Sequence, residues 1–268
     1  MSMRPFDHER AEDLTGALAA VRAGAVPYRG GTELIGAMNM GLLQPDRLVS
    51  LRDVAELDVL ERRGDTLWLG AGLTHLQVSS SPLVRECAPL LAEVAEQVGN
   101  IRVRATGTLG GNLAFAEPRS DVSTTLLALD ARIVLVDGDD QRRLRIDEFI
   151  LGPYEPDLQP GELVLGFEVP DGQVDIWRYE KVTITERPVV GVALVRQASS
   201  GRWRAVIGAV GEVPTAYEAD ELHLLDAGSI AEEVEVVPDH AGSEGYKRRL
   251  VRVALNRCIE EAAAMVRT

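Results

Sequence analysis

Two short stretches of the chain carry paired glycines among polar residues. The first is Tyr28-Arg29-Gly30-Gly31-Thr32-Glu33-Leu34; the second is Thr108-Leu109-Gly110-Gly111-Asn112, followed by Ser120-Asp121. Glycine there costs conformational entropy, so the bare backbone must have a use. The chemistry on offer is close approach of main-chain N–H groups to an anionic or polar ligand. An ordinary glycine-rich turn is the competing reading, because short glycine motifs are weak evidence. Around the first stretch, Val26 and Tyr28 fit a short strand ending on Gly30-Gly31. Thr32 then stands at a helix N-cap, Glu33 in the first turn, and Leu34, Ile35 and Met38 form an apolar face. Strand, double glycine and helix N-terminus together suit a diphosphate, which meets free N–H groups and the positive end of the helix dipole. Two such loops would hold two parts of one large cofactor.

Behind the loops stands a chain of 268 residues, 46% of them hydrophobic. That length suits two packed domains, and that apolar fraction suffices for a sizeable interior. The formal net charge of -14, without a basic stripe, argues against a nucleic-acid binder. Such acidity repels a diphosphate at long range, so local N–H groups and a few arginines must do the holding. Cys87 and Cys258 form no C-x-x-C pair, so the chain cannot house an iron–sulfur cluster alone; both read as reduced, buried thiols. His8, His75, His223 and His240 lack metal-ligand spacing, and no metal site is expected. His75 follows Gly70-Ala71-Gly72 and could line a pocket, but a helix-start histidine satisfied locally is the favoured reading. Met1-Ser2-Met3-Arg4-Pro5 does not open a signal peptide, and no apolar run reaches bilayer length, so the expected location is cytoplasmic. No nucleophile–base pair is visible, and no catalytic residue is assigned. The absence of G-x-G-x-x-G and G-x-x-x-x-G-K-[ST] disfavours Rossmann and P-loop enzymes.

Periodicity predicts the elements that position the loops. Asp7 to Arg22 reads as an amphipathic helix, with Ala11, Leu14, Leu18 and Val21 on one face. Leu48–Leu51 and Thr66–Leu69 are strands, and the second turns through Gly70 and Gly72 into a helix start at Thr74. Pro82 to Val98 reads as one longer helix stopped by Gly99. Arg102 and Arg104 alternate with Ile101 and Val103 as on a short strand. Asp121 to Leu129 is helical, Ile133–Val136 and Leu163–Val169 are strands, and the segments 150–153 and 156–161 are loop. Composition changes at Pro170-Asp171-Gly172, which divides the chain into domains 1–172 and 173–268. In the second, Trp177–Val182, Val189–Arg196 and Trp203–Val210 are strands. Ser243–Val266 closes it as a helix with Leu250, Val253, Ala254 and Ile259 inward, making a small α+β domain.

At both glycine stretches the sequence resembles the FAD-binding medium subunit of the molybdenum hydroxylases, the group of xanthine dehydrogenase and aerobic carbon monoxide dehydrogenase. Arg29 to Leu34 sits where that family has its first flavin loop, and Thr108 to Asn112 matches the second. Ser120-Asp121 keeps the spacing of the polar pair that follows. Leu69 to His75, Tyr179-Glu180-Lys181 and Pro188 to Ala193 extend the resemblance over essentially the whole chain. It implies an α+β fold: a two-subdomain FAD-binding domain of the vanillyl-alcohol-oxidase/PCMH-like kind, then a small α+β domain with a three-stranded antiparallel sheet.

It further implies non-covalent FAD, with the diphosphate over Gly30-Gly31 and the helix start at Thr32-Glu33. Glu33 then accepts from a sugar hydroxyl or caps the helix. Gly110-Gly111-Asn112 brings a second set of N–H groups. Asp121 serves sugar hydroxyls or caps its own helix. By the same resemblance, Val164 offers backbone groups to the flavin ring edge. Lys181 stands near that ring, where its charge stabilises reduced flavin; otherwise it is a surface lysine at a strand end. The implied partners are an iron–sulfur small subunit and a molybdopterin large subunit, with NAD, a quinone or oxygen as final acceptor. The rival readings are a stand-alone FAD-dependent oxidase or reductase and a flavin-free scaffold.

Overall fold

The computed structural model describes residues 3–267. Asp7–Arg10 (β1), Leu14–Arg22 (α1), Val26–Tyr28 (β2), Leu34–Asn39 (α2) and Arg47–Ser50 (β3) build the first layer, with β1 and β2 each parallel to a central β3. The helix expected over Asp7–Arg22 is thus a strand followed by a helix. The Asp13 carboxylate accepts from Gly16 N–H and starts α1, while Ala11 N–H still donates to the Ser50 carbonyl.

Leu60–Arg63 (β4) and Thr66–Gly70 (β5) lead into a run of helices: His75–Ser80 (α3), Pro82–Cys87 (α4), Pro89–Gln97 (α5), Ile101–Thr106 (α6), Leu109–Phe115 (α7) and Asp121–Ala128 (α8). Arg132–Asp137 (β6), Asp140–Arg145 (β7) and Ile146–Phe149 (α9) follow. A ribbon of Ile150–Gly152 (β8) and Glu155–Pro156 (β9) precedes Leu163–Pro170 (β10). The sheet is antiparallel in the order β4-β5-β10-β6-β7. Three expectations change here. Pro82–Val98 is two helices, because Pro89 drives Ala88 out of helical geometry, to φ -141° and ψ 62°. Arg102 and Arg104 lie on helix α6, whose N–H groups at Arg102 and Val103 are capped by the Asn100 side chain. Ile150–Gly152 and Pro156, expected as loop, belong to the β8–β9 ribbon.

The C-terminal part holds Val174–Thr183 (β11), Pro188–Gln197 (β12), Trp203–Gly208 (β13), Thr215–Ala219 (β14), Ala227–Glu233 (α10) and Glu244–Val266 (α11). Its antiparallel sheet has four strands, not the three expected, since Thr215–Ala219 pairs with β13. Val253, expected inward on α11, is exposed. Val251, Ala254, Leu255, Cys258 and Ala262 make the buried face, with Lys247 below them.

The near-continuous apolar run of β12 has a simple cause. Val192 and Leu194 face α10 and α11, while Ala193 and Val195 join the core that contains α8. All of α8 is buried, and Gly208 touches Thr124 so closely that a Cβ would collide with the threonine hydroxyl. Helix α8 is therefore the joint between the two cores.

Candidate functional site

A cleft of about 340 Å³ opens between the β2–α2 turn and the segment that runs from Val103 through α7. Inward it meets a recess lined by Leu51, Leu57, Ala71, Leu163 and Val164. Tyr28, Arg29, Thr108 and Gly111 line both spaces. Both glycine stretches thus face one cavity, as their spacing alone could only suggest.

At the first loop, Gly31 has φ +69°, which favours glycine, and a Cβ on Gly30 would collide with the Thr106 carbonyl. The helix begins at Leu34, so Glu33 and not Thr32 takes the cap position, without a side-chain capping bond. The backbone N–H groups of Gly30, Gly31, Thr32 and Glu33 make no hydrogen bond among the described residues. They are four donors in a row on a cleft wall.

The second loop differs from expectation. It is the first turn of α7, and its N–H groups have partners within the protein. Leu109 N–H donates to Leu73 O, Gly110 N–H to Ala71 O, Asn112 N–H to Thr108 O and Gly111 N–H to Thr108 Oγ1. Its contribution is a bare surface. Gly110 fits against Ala71, where a Cβ would come within 2.6 Å of the alanine Cβ, and Gly111 leaves the cleft floor open. Asn112 accepts from the Ser120 hydroxyl at 2.6 Å, and Ser120, not Asp121, caps α8.

Three arginines near the cleft are already engaged. Arg29 donates to Leu51 O and to both Asp58 oxygens, at 2.6 and 2.7 Å. Arg187, at the tip of the β11–β12 hairpin, bridges Glu33 (2.8 and 2.9 Å) and Glu117 (2.5 Å). Arg104 donates to the carbonyls of Val98 and Gly99. Sequence reasoning passed over Arg187 and Glu117, and no local signal marks either; only the hairpin brings them to Glu33.

Asp121 and Lys181 come together as a buried pair, Nζ to Oδ2 at 2.8 Å, with the Tyr179 hydroxyl donating to Oδ1 at 2.6 Å. Burial raises the Asp121 carboxyl above its usual range, and Lys181 pulls it part of the way back. Lys181 also donates to the Gln97 carbonyl, next to Val98 of the outer cleft, and Val164 lines the recess.

For His75 the structure bears out the pocket-lining alternative and not the favoured, locally satisfied one. Thr74 and Gln77 hold its backbone in a capping box, and its N–H donates to Gly107 O at 3.1 Å. The ring is buried in the cleft wall, yet neither ring nitrogen has a partner among the described residues, so it is not satisfied locally. Burial, reinforced by the Arg104 charge, pushes its pKa down to about 4, so the ring is neutral near pH 7. Thr74→Ala, which removes the cap beneath it, is expected to lower stability by about 1 kcal/mol in urea unfolding of the ligand-free protein.

The model of the family described as the FAD binding domain in molybdopterin dehydrogenase matches residues 4–172. The chain belongs to that family. Among curated relatives of this FAD-binding chain, the carbon monoxide dehydrogenase medium chain of Hydrogenophaga pseudoflava is 29% identical, over 88% of each chain. The glyceraldehyde dehydrogenase medium chain of Sulfolobus acidocaldarius is 27% identical over 96% of this chain and 98% of its own. Among solved structures, carbon monoxide dehydrogenase of Oligotropha carboxidovorans superposes with a TM-score of 0.90 at 25% identity, covering 98% of this chain and 99% of the other. The observed cleft fits FAD in particulars: free N–H donors for a diphosphate, a glycine floor that admits it, and an apolar recess for a flat ring.

Proposed function

We propose that this chain is the electron-transfer subunit of a three-part molybdenum hydroxylase. The observation that carries the reading is the row of unpartnered N–H donors from Gly30 to Glu33, facing a glycine floor, in a chain of the FAD-binding family. FAD supplies the redox chemistry; the chain binds, orients and tunes it. The diphosphate is held at Gly30–Glu33 with Thr108, Gly111 and Asn112 opposite. By the resemblance, Val164 in the apolar recess would offer its backbone to the flavin ring edge, and Lys181, held by Asp121, would supply positive charge near the ring.

The named relatives are medium chains of larger enzymes, among them carbon monoxide dehydrogenase and nicotine 6-hydroxylase. On that likeness an iron–sulfur small subunit passes electrons from a molybdopterin large subunit to this chain, and NAD, a quinone or oxygen receives them. With both thiols buried and free, the chain offers no cluster ligands of its own and suits the cytoplasm. Among the described residues no helix is long and apolar enough to cross a membrane. The division into 1–172 and 173–268 is supported by the end of the family match and by the separate core under α10 and α11.

Acid release from the purified or flavin-reconstituted protein is expected to yield FAD, and purification from its native cell to bring down an iron–sulfur and a molybdopterin subunit. Release of FMN, or no binding at all, would refute the cofactor reading. Rapid reduction of the lone chain by an organic substrate would refute the subunit reading.

A further inference from the structure

We propose that His75 is a further ligand of the cofactor diphosphate, a neutral imidazole that donates its single N–H to a phosphate oxygen. The inference rests on the reading of the cleft as an FAD site. His75 is 2% exposed and lines that cleft; its Nδ1 is buried without a partner, and no hydrogen bond reaches Nε2 among the described residues. Buried polar side chains nearly always have a partner, so an imidazole without one in a ligand cleft marks where a ligand atom belongs.

Position narrows the choice of that atom. His75 Cδ2 and Thr32 Oγ1 each lie 3.3 Å from the point a Cβ on Gly107 would occupy. The ring therefore stands across Gly107 from the first glycine loop, whose N–H groups are unpartnered. Arg29, Arg104 and Arg187 are engaged by protein oxygens, so a diphosphate in the cleft meets N–H donors before it meets free cations. An imidazole N–H adds one donor to that set, in the chemistry already in use there.

The test compares the full-length protein, stripped of flavin, with His75→Leu and His75→Gln. FAD, ADP and adenosine are titrated against each, and the stripped proteins are melted. Wild type must bind FAD; if it does not, the cleft reading fails first and the inference with it. In His75→Leu, affinity for FAD and ADP is expected to fall about tenfold, with adenosine unchanged and His75→Gln keeping most of the affinity. Its stripped form is expected to melt at the same or a higher temperature, because an unpartnered buried polar group has been replaced by an apolar one. Equal FAD affinity in wild type and His75→Leu would overturn the inference. So would an equal loss for ADP and adenosine, which would show that the ring acts only by packing.

Discussion

Gly111→Val is expected to abolish most FAD binding while the protein remains folded. A Cβ at Gly111 meets only the Thr108 hydroxyl, at 3.0 Å, so making room costs at most the Thr108 cap of α7, about 1 kcal/mol. The rest of the side chain enters the cleft floor opposite Gly30–Glu33 and lifts a diphosphate off the free N–H groups. Each lost hydrogen bond to a charged phosphate costs about 1.5–3 kcal/mol, or roughly tenfold to a hundredfold in affinity. Gly110→Ala is the contrasting variant. Its Cβ would come within 2.6 Å of Ala71 Cβ and 2.8 Å of Ala71 O, so it strains the fold, by about 1–3 kcal/mol. Flavin titration and thermal melting of both variants separate the effects. Undiminished flavin occupancy in Gly111→Val would place the cofactor elsewhere.

The second large effect is expected at Lys181. Lys181→Met leaves the Asp121 carboxylate buried with only the Tyr179 hydroxyl to hold it, and an uncompensated buried charge of this kind costs about 3–5 kcal/mol. The loss should depend on pH. Burial already raises the Asp121 pKa, and Lys181 is the leading influence that opposes the rise, so its removal raises the pKa further. The folded variant then holds a proton at pH values where the unfolded chain has released it. Stability therefore falls as pH rises through that window, and the deficit should be smaller near pH 5 than near pH 8. Urea unfolding of ligand-free wild type and variant at both pH values is the measurement. A deficit independent of pH would mean that Asp121 is not the group left unpaired. The double variant Lys181→Met/Asp121→Leu should recover part of the loss, because it also removes the buried charge.

The same pair shows where function and stability meet. Asp121 begins α8, the helix between the two cores, and Lys181 and Tyr179 lie on β11. The groups that resemblance assigns to the cofactor also hold the C-terminal sheet against the FAD-binding domain. Flavin loss and domain loosening in Lys181 variants therefore have to be measured apart, which the ligand-free comparison does.

Much was legible in the residues themselves. Gly30-Gly31 after a short strand and Thr108 to Asn112 before a helix marked two stretches that the fold brings to one cleft, and the order of several motifs placed the family. Thr74 announced its helix, because an N-cap and its Gln77 partner are local chemistry. Pro82 and Ser243 likewise marked helix starts. Local signals failed where two of them competed. The apolar spacing from Ala11 to Val21 fits a helix, but Asp13 caps that helix and leaves β1 to pair with β3. Two arginines alternating with two apolar residues are too short a run to establish a period, and the Asn100 cap made that segment helical. Thr215–Ala219 was missed because a weakly patterned edge strand owes its conformation to the β13 backbone beside it.

The residues alone determined where the paired glycines and the helix starts beside them would fall, since φ, Cβ volume and capping chemistry act within a few positions of the chain. Only the tertiary structure decided which donors remain free for a ligand. A backbone N–H is available when no acceptor from elsewhere in the fold reaches it. The carbonyls of Leu73 and Ala71 take the N–H groups of Leu109 and Gly110, while none reaches Gly30 to Glu33. The same holds for charge. Arg29 and Lys181 look like phosphate or flavin cations in the sequence, but Asp58 and Asp121 fold against them from distant segments, and Arg187, which no sequence signal marked, is held by Glu33 and Glu117. His75 is the converse case: local satisfaction was favoured over a pocket-lining role in sequence, and the fold puts it in the cleft wall with Nδ1 buried and unpartnered among the described residues.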